Sequence, residues 1–215
     1  MVARAVIARR RAAGPSGLHA MATEAKACRR CDLYKVATQT VFGEGNPQAR
    51  IVLVGEQPGD NEDLLGRPFV GPAGRLLRKA MDEAGLAAGD CYITNAVKHF
   101  KYEWRGKRRL HTRPNSQEIV ACRWWLAREL RAIRPALVIA LGVTAATALA
   151  GKPVTITALR GQRTTTIEGV AMTATVHPSS LLRMPEEADR EDAYRQFVED
   201  LRRAATELAR PGPNG

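Results

Sequence analysis

Acidic side chains are in deficit in this chain, 22 Asp and Glu against 33 Lys and Arg, which leaves a formal net charge of +11. An excess of that sign draws a polyanion from a distance. Nucleic acid is therefore the leading partner class, and a merely basic, solvated surface is the plain alternative. Cysteine is scarce as well: of four residues, two are spaced Cys28-x-x-Cys31. In a cytosolic chain that spacing suits a metal site or a redox pair better than a disulfide framework. The opening stretch, with Arg9, Arg10 and Arg11 ahead of Ala-Ala-Gly-Pro-Ser-Gly, lacks the apolar run of a signal peptide or membrane-spanning helix. No membrane association is expected, and the cytoplasm is the default location. Neither Gly-x-Gly-x-x-Gly nor Gly-Lys-Ser follows the first strand, which weakens any nucleotide-cofactor reading.

What is present is a chain of 215 residues, 45% of them hydrophobic, enough for one ordinary α/β domain with its own core. Residues 1–21 read as a disordered basic tail, or as the product of a start placed too far upstream, since Met21 would serve equally well. Residues 22–210 read as the single domain and 211–215 as a second tail. Apolar, β-branched runs alternate with helical patterns. Ile51–Val54 reads as a buried strand, residues 72–85 as a helix stopped by Gly85, and Tyr92–Val97 as a second strand. Asn115 with Glu118 marks a capped helix running to about Ile133, and Leu137–Leu141 is a third strand before a short Ala-rich helix. A hairpin of 164–167 with 170–176, turning at Glu168-Gly169, supplies the fourth core strand. A last helix covers about 186–208. This order predicts a three-layer α/β/α sandwich around a mostly parallel, four-stranded sheet.

In such sheets ligands bind beyond the carboxyl ends of the strands. The motifs sit there: Gly55-Glu56-Gln57-Pro58-Gly59 after the first strand, Asn95 to His99 after the second, His177-Pro-Ser179-Ser180 after the fourth. The first continues through Asp60 to Gly66-Arg67-Pro68-Phe69-Val70-Gly71-Pro72-Ala73-Gly74, a long Gly- and Pro-rich loop whose backbone can approach a ligand closely.

Gly-Glu-x-Pro-Gly, Gly-x-Pro-Phe-Val-Gly-x-Ala-Gly-x-Leu-Leu, Asn-Ala-Val-Lys and His-Pro-Ser, in this order over roughly residues 25–205, resemble the iron–sulfur, family 4 branch of the uracil-DNA glycosylases. The resemblance implies uracil-containing DNA as the partner, a single strand being the cheaper one to unstack, with uracil as product and the chain acting as a monomer. It implies that Phe69 stacks on the flipped base and that Asn95 reads its polar edge with an amide, which offers both a donor and an acceptor. His177 would donate to a uracil carbonyl as charge builds on the leaving base. Backbone at Gly55 and Gln57 completes the cradle, and Asp60 and Lys98 count with the substrate-binding residues. Ser179, Ser180 and Arg183 are expected to hold phosphates.

The same resemblance aligns Cys28, Cys31 and Cys122 with cluster cysteines. His99 stands where the family has its fourth, while Cys91 lies eight residues earlier at the far end of a strand. Strand ends that far apart lie over ~20 Å from each other, so His99 is favoured and Cys91 reads as a buried small hydrophobe. Three cysteines and a histidine also suit structural zinc; the resemblance alone implies a [4Fe-4S] cluster, with a histidine raising its potential. Finally, the insertion Lys107-Arg108-Arg109-Leu110-His111 resembles the Lys-Arg-Arg-Ile-His loop of the UdgX-type glycosylases, as do Gly-Glu-Gln-Pro-Gly and Val-Lys-His-Phe. It implies that His111 captures the sugar C1′ covalently after the base departs, with Glu56 orienting His111 or accepting its proton. Arg109 would hold the loop by a phosphate or carboxylate contact.

Overall fold

The computed structural model describes residues 15–209. Its helices are Pro15–Ala25 (α1), Asp60–Leu65 (α2), Pro72–Glu83 (α3), Ser116–Ile133 (α4), Val143–Ala150 (α5), Ile156–Leu159 (α6), Pro178–Leu181 (α7) and Glu187–Ala209 (α8). Its strands are Glu44–Gly45 (β1), Ile51–Gly55 (β2), Cys91–Asn95 (β3), Tyr102–Arg105 (β4), Arg108–His111 (β5), Leu137–Leu141 (β6), Thr164–Thr165 (β7) and Ala171–Thr175 (β8).

The main sheet has the order β1-β3-β2-β6-β8-β7. Its four central strands are parallel, as expected, and two short antiparallel strands, β1 and β7, flank them. Alternation along β2 shows why the run is apolar throughout. Ile51 and Leu53 enter the layer shared with α3 and α8, while Val52 and Val54 enter the layer shared with α1, α4 and α5. A strand covered on both faces has no polar side. The helices start where their caps predict. Asn115 Oδ1 accepts from Glu118 N at 2.9 Å and Glu118 Oε2 accepts from Asn115 N at 2.7 Å, a reciprocal box at the head of α4.

Three segments depart from the sequence reading. Residues 15–21, assigned to a basic tail, belong to α1, because Leu18 and Met21 find apolar cover in the core beside α4; residues 1–14 and the expected tail 211–215 lie outside the described residues. The acidic start of the long loop forms α2, closed by Gly66 in the left-handed region. The basic insertion is a two-stranded hairpin, β4–β5, pairing Tyr102 with His111 and Trp104 with Arg109. Among the described residues no helix is long and apolar enough to cross a membrane.

Candidate active site

Four parallel strands deliver their carboxyl ends to one crevice of about 830 Å³. Glu56 and Gln57 follow β2, Asn95 ends β3, Gly142 and Val143 follow β6, and His177 follows β8; all six line it. The β6 contribution was not read from the sequence, although Gly142 occupies the same position relative to its strand as the other motifs.

Asn95 is 3% exposed, yet its amide forms no hydrogen bond within the described residues and faces the crevice. An amide held in the crevice wall with both functions unspent is available to pair with a ligand there. Gly55 makes room for it: a Cβ there would lie 2.4 Å from Asn95 Oδ1 and 2.5 Å from Phe69 Cζ. Phe69 is buried and has φ of 54°, a left-handed conformation that costs a non-glycine residue about 1–2 kcal/mol. Its carbonyl accepts from Arg78 Nη2 at 2.6 Å, and Gly74 abuts it so closely that a Cβ would stand 1.7 Å from the Phe69 oxygen. Glu62 ties the two ends of this loop, accepting from Gly59 N at 3.0 Å and Gly71 N at 2.7 Å. The strained ring is thereby fixed 6.0 Å from the His177 ring. Neither Arg78 nor Glu62 was picked out from sequence, since each acts through a backbone partner that only the fold supplies.

Opposite them, His111 Nε2 lies 3.1 Å from Glu56 Oε1, and Thr144 Oγ1 donates to Glu56 Oε2 at 2.5 Å. Burial works to raise the Glu56 pKa, but the hydrogen bonds from His111 and Thr144 outweigh it and hold the carboxyl below its ordinary value. His111 is 47% exposed and lines the crevice. Two devices hold its hairpin. Gln57 Nε2 donates to the carbonyls of Lys101 (3.0 Å) and Thr112 (3.2 Å), one at each base of the hairpin. Arg109 binds Asp60 and Asp63, each at 2.6 Å, with its guanidinium over the Phe100 and Tyr102 rings. The carboxylate contact expected of Arg109 is present. Asp60 spends its carboxylate there instead of on the crevice.

His177 Nδ1 accepts from Ser179 N at 3.2 Å and stands 2.8 Å from Ser179 Oγ. The neutral ring therefore carries its proton on Nε2, the tautomer that donates. Burial pushes its pKa down to about 4, against the pull of Glu56 and with help from Arg183 and His111. Ser180 Oγ donates to the His177 carbonyl at 2.7 Å and Arg183 reaches Ser179 Oγ at 3.2 Å. The serines thus brace this turn as well as lining the crevice. Because the folded pKa lies below the ordinary 6.5, the unfolded chain takes up more protons between those values, and stability present above about pH 6.5 is lost as pH falls towards 4. Thermal melts over this range should show a smaller drop in Tm for His177→Gln than for the parent; an equal drop would contradict the buried neutral ring.

Lys98 is a correction. It is fully buried, with Nζ 2.5 Å from Glu129 Oε2, 2.7 Å from Thr94 Oγ1 and 2.8 Å from the Asn95 carbonyl. Glu129, equally buried, also accepts from Tyr92 Oη at 2.9 Å. An ammonium so enclosed cannot reach DNA; it props the backbone of Asn95 from beneath.

The cysteines divide between the two faces of the sheet. Cys91 packs with α3 and α8, while Cys28 and Cys122 lie in the other layer with Cys31 against them. Burial raises the thiol pKa values of Cys31 and, to about 12, Cys122. Two of the sulfurs receive N–H bonds, from Trp125 Nε1 to Cys28 Sγ and from Lys98 N to Cys122 Sγ, both 3.1 Å. His99 joins this region through Thr40, whose hydroxyl donates to the Ala25 carbonyl and lies 2.9 Å from His99 Nε2. With Nε2–H spent on Thr40, the lone pair sits on Nδ1, which is buried without a partner. Burial lowers the His99 pKa to about 4. An unpaired imidazole nitrogen and three cysteines in the same layer fit a metal centre in donor chemistry, although among the described residues no group of three or more His, Cys, Asp or Glu is gathered as it would be around a single ion.

A profile of the uracil DNA glycosylase superfamily matches residues 42–202. A type-4 uracil-DNA glycosylase of Thermotoga maritima is 39% identical over 189 residues, covering 87% of this chain and 92% of that protein. One from Pyrobaculum aerophilum is 34% identical over 171 residues, 74% of this chain and 82% of its own length. One from Archaeoglobus fulgidus is 45% identical over a shorter span, 57% of this chain and 58% of its own. With its motifs at the strand ends of a single crevice and these matches running through both, the chain belongs to the uracil DNA glycosylase superfamily, in its type-4 branch.

Proposed function

We propose that this chain excises uracil from DNA and then bonds the abasic sugar to His111, as the resemblance to UdgX-type enzymes implies. The observation that carries the reading is that His111, hydrogen-bonded to Glu56, lines the same crevice as Asn95 and His177. The target nucleotide leaves its stack, which a single strand permits at least cost. Phe69 covers the base, the Asn95 amide pairs with its polar edge, and the Nε2 proton of His177 meets a carbonyl oxygen. As the C1′–N1 bond breaks, its electron pair leaves with the uracil, and that oxygen gains charge against a donor already aimed at it. The resulting oxocarbenium-like carbon then accepts the lone pair of the unprotonated His111 nitrogen. The proton on the other ring nitrogen passes to Glu56, and the uracil anion takes its proton from solvent. Placement is what such an attack requires, and the Gln57 and Arg109 clamps supply it.

The ionised Glu56 also favours a second reading, in which it activates a water molecule and the enzyme turns over. A uracil-containing single strand run on a denaturing gel separates the two. Trapping predicts a protein–DNA band that survives heat and detergent, in amounts no greater than the enzyme. Free abasic product in molar excess would overturn trapping, and no uracil release at all would leave only a DNA-binding module.

Cys28, Cys31, Cys122 and His99 would hold a [4Fe-4S] cluster, whose contribution is to cross-link the amino-terminal segment to the β3 exit and to α4. The N–H bonds to Cys28 Sγ and Cys122 Sγ would tune it. Cys28→Ala is expected to give colourless, poorly soluble protein, whereas a brown, stable preparation by absorbance would remove Cys28 from the ligand set.

A further inference from the structure

The hairpin carries one large aromatic side chain that neither the crevice nor the core uses. Trp104 is 65% exposed, an unusual position for an indole, which normally hides most of its surface. Pairing within the hairpin sets Trp104 against Arg109 and Tyr102 against His111. Side chains two residues apart share a face, so the indole stands on the face of His111, one step of about 7 Å further along β4 than the residue paired with it. It is held in place: its ring meets Tyr102 at 5.6 Å and 89°, and Tyr102 is itself fixed by donating to the Val36 carbonyl at 3.0 Å and by the Arg109 guanidinium above it. A perpendicular contact covers at most one face of an indole, and the other is left open.

Charge around it points the same way. Arg105, Lys107 and Arg108 are exposed and form no ion pair among the described residues, in contrast to Arg109 on the same hairpin, which is bound to two carboxylates. Arg105 and Arg108 pair across the hairpin on the face opposite Trp104, and with Lys107 they put three unpaired cations at its tip, just beyond the exposed ring. Cations along the phosphates and rings against bases make up the pattern by which proteins hold an unwound strand.

We propose that Trp104 is a stacking platform for the base next to the target in single-stranded DNA. Arg105, Lys107 and Arg108 follow the adjoining phosphates, so that the target is presented to His111 with its neighbour already unstacked. Stacking tolerates any base, so the contact adds affinity without sequence preference. It would also favour a single strand over a duplex, in which the neighbour is committed to its own stack.

The inference rests on the uracil-DNA reading, and the test separates the two. Binding of labelled single-stranded oligonucleotides is measured by anisotropy, with 2′-fluoro-arabinouridine as target because its glycosidic bond resists cleavage. Trp104→Ala should raise Kd about tenfold and Trp104→Phe much less. With abasic residues on both sides of the target, parent and Trp104→Ala should bind alike. Equal affinity of parent and variant for the intact strand, or an undiminished deficit on the abasic-flanked strand, overturns the stacking role. If the parent releases no uracil but the Trp104 effects appear as described, the excision reading falls and the platform stands.

Discussion

His111→Ser is expected to lose the heat-stable protein–DNA species completely while still releasing uracil. In the proposed reaction departure of the base is assigned to Asn95, Phe69 and His177, none of which is tied to the His111 side chain by a hydrogen bond. Serine vacates space beside Glu56, an ionised carboxylate still held by Thr144, and water can enter there. The variant should therefore change from one product per enzyme molecule to repeated turnover, read as uracil released in excess over protein. Stability should hardly move, since the imidazole is 47% exposed and surface substitutions usually stay within about 0.5 kcal/mol. A cross-link that persists in His111→Ser would show that another side chain is the nucleophile.

Asn95→Ala is expected to lower the single-turnover rate of uracil release by about a hundredfold to a thousandfold, the scale seen when one preorganised donor is removed from a developing charge. The prediction is large because the amide is committed to nothing else. It has no hydrogen-bond partner among the described residues, and its backbone is held independently by Lys98. Truncation should thus remove recognition and leave the fold, so circular dichroism and Tm serve as controls. Excision at the parent rate would exclude Asn95 as the reader of the base, and with it the part assigned to the crevice.

The two variants test different walls of one cavity, and they differ in how far each wall could be foreseen. Asn95 and His177 were legible as polar residues at the ends of apolar runs, where a parallel sheet puts its ligands. The hairpin bearing His111 was legible only as a basic insertion. Its strands are four residues each and nearly all exposed, so they carry none of the hydrophobic contrast that marks a core strand. Lys98 misled for a related reason: a lysine beside a motif reads as solvent-facing unless its counter-charge is known, and Glu129 lies 31 positions away on α4. Residues 15–21 and α2 failed alike, each being too short or too polar to declare itself without the surface it packs on.

By itself, the order of residues determined the four core strands and the main helices between them, that the sheet is parallel at its centre, and which loops gather at its carboxyl edge. Periodicity and capping are local, and a short window of sequence contains them. Only the tertiary structure decided which side chains spend their hydrogen bonds inside the protein and which keep them for a ligand. Gln57 turned out to be a clamp, Lys98 a buried prop, and Asn95 an open amide because their partners come from distant parts of the chain. Those partnerships depend on where the backbone passes in space.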